Sequence, residues 1–194
     1  MSIAWDWNGA AYDRISGPME AMGLAVLERL ELAGDETVLD AGCGSGRVTA
    51  ALLERLPRGR VIGVDAAPSM IEAARARLGK RDDLTLAVAD LSELDAALGP
   101  VDAVLSTATF HWIADHARLF GRLRGVLRDG GRLVAQCGGD GNIAALHAAA
   151  ADAGAEQPFA EYLAGWIGPW RFATPDETES LLRAAGFSRA RCWL

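Results

Sequence analysis

The chain has 194 residues and a formal net charge of −7, long enough for one domain with a full hydrophobic core and too acidic for a nucleic-acid or anionic-membrane partner. Cys43, Cys137 and Cys192 are odd in number and lack metal-ligand spacing, the pattern of a reduced cytoplasmic protein without a metal site. The first residues, Met1 to Trp7, are neither basic nor an apolar run, and no apolar stretch is long enough for a bilayer, so neither a signal peptide nor a membrane span is expected.

Trp5, Trp7 and Tyr12 lie in an N-terminal stretch too short to pack alone, which suits a lid over a bound ligand. Met19, Met22, Val26, Leu27 and Leu30 make the apolar stripe of a helix ahead of the first strand. Residues 37–41 are strand formers that run into Gly42, Gly44 and Gly46, and residues 47–56 then show helical spacing at Val48, Leu52, Leu53 and Leu56. A second strand, 60–65, leads to a helix opened by Pro68, whose missing N–H costs nothing at the first helical position. Strands follow at 84–88 and 101–106, then a helix from about Asp115 carrying Leu119, Phe120, Leu123, Val126 and Leu127. Asp129-Gly130-Gly131 reads as a turn into a fifth strand, 133–137. Thr174-Pro175-Asp176-Glu177 is a capping box with proline, Gly186 closes that helix, and 188–194 reads as a sixth strand. Strands alternating with helices predict an α/β fold of the doubly wound, Rossmann-like kind, a mostly parallel sheet with helices on both faces.

The glycine loop is the strongest functional signal. A strand, a glycine turn and a helix N-terminus form a cradle in which free N–H groups are expected to face a ligand. A dinucleotide fingerprint would put its third glycine at Arg47, so that pattern fails. Asp40, two residues before Gly42, suits a cationic group better than a pyrophosphate. Asp65 closes the second strand, where an acid accepts hydrogen bonds from ribose hydroxyls. Asp90 follows the third strand, so acids stand at the ends of three successive strands.

Asp40-Ala41-Gly42-Cys43-Gly44-Ser45-Gly46 resembles the first motif of class I S-adenosylmethionine-dependent methyltransferases. Asp65-Ala66-Ala67-Pro68-Ser69-Met70 is similar to the second, and Ala89-Asp90-Leu91 to the third. The resemblance implies S-adenosylmethionine as cofactor, with Asp90 receiving the adenine amino group beside the Leu91 backbone N–H. Met70 either packs on adenine or serves the core. The family sheet ends with an antiparallel seventh strand that has no counterpart here, so either the sequence stops short of it or the sheet edge is unusual.

Residues 106–116, from Ser106 through Phe110-His111-Trp112-Ile113 to Asp115-His116, follow the fourth strand and are expected to meet the methyl group and the acceptor. They lack the Asn/Asp-Pro-Pro-aromatic signature of nucleic-acid amino-methyltransferases and resemble small-molecule methyltransferases related to the trans-aconitate enzyme. His111 is the candidate general base, since imidazole titrates near neutrality; its alternative is a hydrogen-bonded pocket wall. His116 is expected on an exposed first helical turn and His147 on a helix face. Trp112 is read as a wall of the acceptor site. The 159–172 insertion carries Trp166, Trp170 and Arg171, a set suited to an organic acid gripped by the guanidinium, or to a satellite hydrophobic cluster with a surface arginine.

The expected organisation is one domain. Residues 1–33 form a lid and helix, 34–137 the cofactor-binding core, and 138–194 an acceptor-side insertion, capped helix and last strand. The expected activity is methyl transfer to a small polar or carboxylic-acid metabolite. The rival readings are a non-catalytic S-adenosylmethionine-binding module and a nicotinamide-dependent dehydrogenase.

Overall fold

A computed structural model of the chain describes residues 17–163, 165, 166 and 168–194. Tyr12, Trp5 and Trp7, and with them the expected lid, lie outside the described residues. Helix α1 (Gly17–Leu27) buries Gly23, Val26 and Leu27 and leaves Met19 and Met22 exposed, so the inner half of the apolar stripe does the packing. A Cβ on Gly23 would stand 2.5 Å from Val48 Cγ2, and the bare backbone lets α1 lie close on α2.

The elements then alternate: β1 (Thr37–Ala41), α2 (Arg47–Glu54), β2 (Arg60–Asp65), α3 (Pro68–Leu78), β3 (Leu84–Val88), β4 (Val101–Thr107), α4 (His116–Val126) and β5 (Leu127–Gln136). Helices α5 (Ala144–Gly154), α6 (Ala160–Leu163) and α7 (Pro175–Ala184) complete the described chain, with short helical turns at Leu91–Glu93, Ala96–Leu98 and Phe110–Trp112. The caps fall where local chemistry puts them. Thr174 accepts the Glu177 N–H at 3.2 Å ahead of Pro175, and Asp115 accepts the Arg118 N–H at 2.9 Å at the head of α4.

Among the described residues the sheet runs β3-β2-β1-β4-β5 with every pair parallel, the expected open doubly wound sheet. Side chains alternate across it. Leu39, Ile62 and Val104 join a core under α4 and α7, while Val38, Val61, Ala103 and Leu105 join a second under α1 and α2. Chain order reverses between β1 and β4, the switch point at whose carboxyl ends such sheets bind ligands.

Three expectations are corrected. β5 begins at Leu127 rather than at 133: the register jumps from Val101↔Leu127 to Ala103↔Arg132, so the Asp129-Gly130-Gly131 turn is a bulge within the strand, with Gly130 at φ +75°. Residues 188–194 are not a strand. The Cys192 N–H donates to Glu179 Oε1 at 2.8 Å, and Ala190 and Cys192 pack against the α4/α7 core, so the segment is held by α7. His116 is buried rather than exposed; its Nε2 lies 3.0 Å from the Phe110 carbonyl and its ring beside Phe120.

Candidate functional site

The three glycines after β1 all adopt positive φ, with Gly42 at +84°, Gly44 at +54° and Gly46 at +81°, but they serve different ends. A Cβ on Gly42 would lie 2.1 Å from Thr109 Oγ1, and one on Gly46 2.9 Å from Leu78 Cδ1. These two therefore permit close packing against the β4 tip and against α3. A Cβ on Gly44 would meet nothing within 4 Å, so Gly44 is the one that faces open space. The expected free N–H groups are largely engaged. Gly42 and Cys43 donate to the Val64 carbonyl at 2.8 and 3.0 Å, Gly46 donates to Cys43 at 3.0 Å, and Gly44 donates to Asp65 Oδ2 at 2.9 Å. The loop offers open backbone and carboxylates more than amides.

Because β1, β2 and β3 are parallel, Asp40, Asp65 and Asp90 stand along one sheet edge. Asp40 is 1% exposed and accepts from Thr49 Oγ1 at 2.7 Å. Burial pushes its carboxyl up to about 6; the Thr49 hydroxyl opposes that shift and the Asp65 charge adds to it. Burial also raises Asp65, against the Ala67 and Gly44 amides that bind its two oxygens, each at 2.9 Å. Asp90 Oδ1 accepts from the Ser92 N–H at 2.8 Å and from its hydroxyl at 2.6 Å, capping the Leu91–Glu93 turn. Ala66 is exposed just past Asp65. Leu91 is buried with the α4/α7 core, and Met70 is 4% exposed within α3, the core alternative for that residue.

A cleft of about 60 Å³ opens at the switch point, bounded by Asp40, Gly44, Arg47 and Thr107 and covered by Met19 and Glu20 of α1. Arg47 and Glu20 form an ion pair at 2.5 Å. The sequence reading missed Glu20, Arg47 as a lining residue, and Thr49. Arg47 stood out only as a failed glycine, and nothing local marks Glu20 as a partner 27 positions away. At the β4 tip Ala108 holds φ +53°, a left-handed backbone that costs a non-glycine residue energy. Its N–H donates to the Gln136 carbonyl at 2.8 Å.

Ser106 does not reach this cleft. It is fully buried, and its hydroxyl donates to the Ala41 carbonyl at 2.6 Å, tying β4 to β1. His111 lies in the turn beyond, where its Nδ1 accepts the Gly138 N–H at 3.1 Å. Burial, with a smaller push from His116, lowers the ring to about 4. The imidazole is thus neutral near pH 7, with its proton on Nε2 because Nδ1 is an acceptor. That tautomer has no lone pair left for a substrate proton, so His111 presents a hydrogen-bond donor and matches the pocket-wall alternative. Trp112 is 38% exposed and Trp166 47%. With His111, His147, Trp170 and Phe172 they form a continuous ring cluster, Trp170 lying nearly parallel to Phe172 at 6.1 Å and His147 stacked on Trp170 at 5.9 Å. The Arg171 guanidinium donates to the Ala114 carbonyl at 2.9 Å and pairs with Glu177, which matches the surface-arginine alternative. Gln136 Oε1 and His147 Nε2 are buried without a hydrogen-bond partner among the described residues.

Among the described residues no cluster of His, Cys, Asp and Glu is placed to hold a metal ion, and no helix is long and apolar enough to cross a membrane.

A family model described as a methyltransferase domain matches residues 38–131. The trans-aconitate 2-methyltransferase of Methylobacterium radiotolerans is 38% identical over 131 residues, which are 68% of this chain and 49% of that protein. That of Methylobacterium nodulans is 32% identical over 182 residues, 93% of this chain and 69% of that protein. The chain thus spans about half the length of the first relative and about two thirds of the second. Among solved structures, a Haloferax volcanii methyltransferase in complex with the Trm112 methyltransferase activator shares the fold, with a TM-score of 0.73 and 24% identity over 96% of this chain and 76% of that one.

Proposed function

Because this chain belongs to the class I S-adenosylmethionine-dependent methyltransferases, we propose that it transfers the donor's methyl group to a small polar or carboxylic-acid metabolite. The observation that carries the reading is the set of Asp40, Asp65 and Asp90 along one edge of a parallel sheet, around an open Gly44. Asp40 receives the donor's ammonium group, Asp65 its ribose hydroxyls and Asp90 its adenine amino group, with Gly44 leaving room for the chain between them. The donor supplies a methyl carbon activated by a sulfonium, so transfer is an in-line displacement that releases a neutral thioether. The protein's own work is alignment and exclusion of water.

Within this reading residues 34–137 hold the donor and 138–194 border the acceptor. His111 orients the acceptor by donating from Nε2, and with Nδ1 engaged it takes up no proton. An acceptor oxygen already ionised near neutral pH, such as a carboxylate, needs no base, and the names of the two Methylobacterium relatives support an acid acceptor.

Isothermal calorimetry tests the donor half. S-adenosylmethionine and S-adenosylhomocysteine should bind and NAD should not, and either sulfur ligand at about a hundredfold its Kd should add about 2.7 kcal/mol of stability. Gly44→Val should abolish that binding, because the new side chain fills space the protein leaves open and strains a backbone held at positive φ; circular dichroism run alongside separates loss of binding from loss of fold. NAD binding with neither sulfur ligand bound would overturn the reading.

A further inference from the structure

The acceptor side of this chain carries almost no positive charge. Residues 138–173 contain Asp140, Asp152, Glu156 and Glu161 against a single cation, Arg171, and that guanidinium is held by Glu177 and the Ala114 carbonyl. The strand-tip segment 107–116 adds Asp115 and no lysine or arginine. A molecule bearing several carboxylates would approach a net negative surface with no paired guanidinium to receive it.

What the segment presents instead is rings. The cluster runs unbroken from His111 and Trp112, in the turn after the β4 tip, to Trp170 and on to Trp166, His147 and Phe172. It lies beside the donor loop, because Thr109 packs on Gly42 and donates to its carbonyl at 3.4 Å. Gly138, whose N–H fixes the His111 tautomer, would with a Cβ strike Phe172 at 2.7 Å, so strand end, histidine and ring wall are assembled as one surface. Trp112 and Trp166 keep exposed faces. One ring nitrogen at the edge of this cluster, His111 Nε2, bonds to no described residue and is left to hydrogen-bond a ligand.

We propose that the acceptor is a planar aromatic molecule with a hydrogen-bond-accepting oxygen and at most one negative charge, stacked on the Trp112/Trp166/Trp170 surface and oriented by His111 Nε2–H. This rests on the methyltransferase reading above and narrows its acceptor to a chemistry unlike a tricarboxylate. Rings prefer offset or edge contacts with rings, which confer orientation without charge, and a neutral imidazole N–H serves one carboxyl or carbonyl oxygen.

The test uses the full chain saturated with S-adenosylhomocysteine and follows binding by isothermal calorimetry on titration with indole-3-carboxylate, indole and trans-aconitate. Both indoles should bind at lower concentration than trans-aconitate, with indole-3-carboxylate the tighter of the two. Trp166→Leu, at a half-exposed position, and Trp170→Leu should each weaken indole-3-carboxylate by about tenfold while S-adenosylhomocysteine affinity holds. Tighter binding of trans-aconitate than of either indole, or unchanged indole-3-carboxylate affinity in both variants, overturns the inference and leaves the donor assignment standing. Failure of S-adenosylhomocysteine itself to bind in calorimetry removes the methyltransferase reading and this inference together.

Discussion

Asp40 carries two opposed demands. Burial raises its carboxyl to about 6, above the roughly 3.9 of an unfolded aspartate, so the folded state holds that proton more tightly than the unfolded one. Its contribution to stability is therefore fullest below about pH 4 and is lost as pH rises through about 6. In the role proposed for it, receiving the donor's ammonium group, Asp40 has to be ionised, so affinity for S-adenosylhomocysteine should be level above about pH 7 and fall by up to about tenfold per unit below about 6. Thr49→Val removes the hydroxyl that opposes the shift and should move the inflection upward by about one unit, the scale of a hydrogen bond to a charged group. Calorimetry from pH 5 to 8 on both proteins checks this, and coincident profiles would mean that Asp40 does not meet the ligand. The placement of Asp40, Asp65 and Asp90 at successive strand ends was legible because strand ends and glycine spacing are local signals. Thr49, Glu20 and the His111 tautomer were not, since each depends on a partner brought in by packing. For His111 that partner is Gly138, 27 residues on.

At the level of elements, capped helices and strand patterns were readable from a few residues each: Pro68, Asp115 and Thr174 all stand at the helix starts they announced. Thr174→Ala should cost about 1 kcal/mol in urea unfolding, the usual worth of a side-chain cap, and no change would show the cap to be idle. The Arg171–Glu177 pair bolts the end of the insertion to the same helix start. Both groups are well exposed, so Arg171→Lys should cost no more than about 1 kcal/mol and leave the acceptor's KM unchanged. A raised KM with intact donor affinity would restore Arg171 as an acid-gripping group. The pattern reading failed where pairing is settled by something other than strand propensity. Ser188 to Leu194 has β-forming composition, yet Glu179 takes the Cys192 N–H that a ladder would have used. The early start of β5 depends on Gly130 at positive φ folding a turn into the strand, which composition does not distinguish from a turn ahead of one.

Across the whole molecule, period-two alternation sorts the strand residues into two cores and leaves Asp40 on the side of α1 and α2. That is why the first helix, which adds nothing to the βα rhythm, ends up over the switch point. The cleft there measures about 60 Å³, far below the roughly 300–1,000 Å³ of small-molecule sites. If the donor proposed above occupies this cleft, α1 has to move aside to admit it, and the apparent Kd is then the intrinsic value divided by the fraction of molecules in which it has done so. The Glu20–Arg47 pair, partly exposed on both sides, would then favour the closed arrangement by about 0.2–1 kcal/mol. Glu20→Gln should thus tighten apparent S-adenosylhomocysteine affinity by roughly 1.4- to 5-fold, seen in stopped flow as faster association with little change in dissociation; an unaltered association rate would show that the pair holds nothing shut. On that reading a helix peripheral to the fold would act as a threshold, setting the ambient donor level at which the protein becomes loaded, and substitutions along α1 would retune that level without touching a group that contacts the reacting atoms.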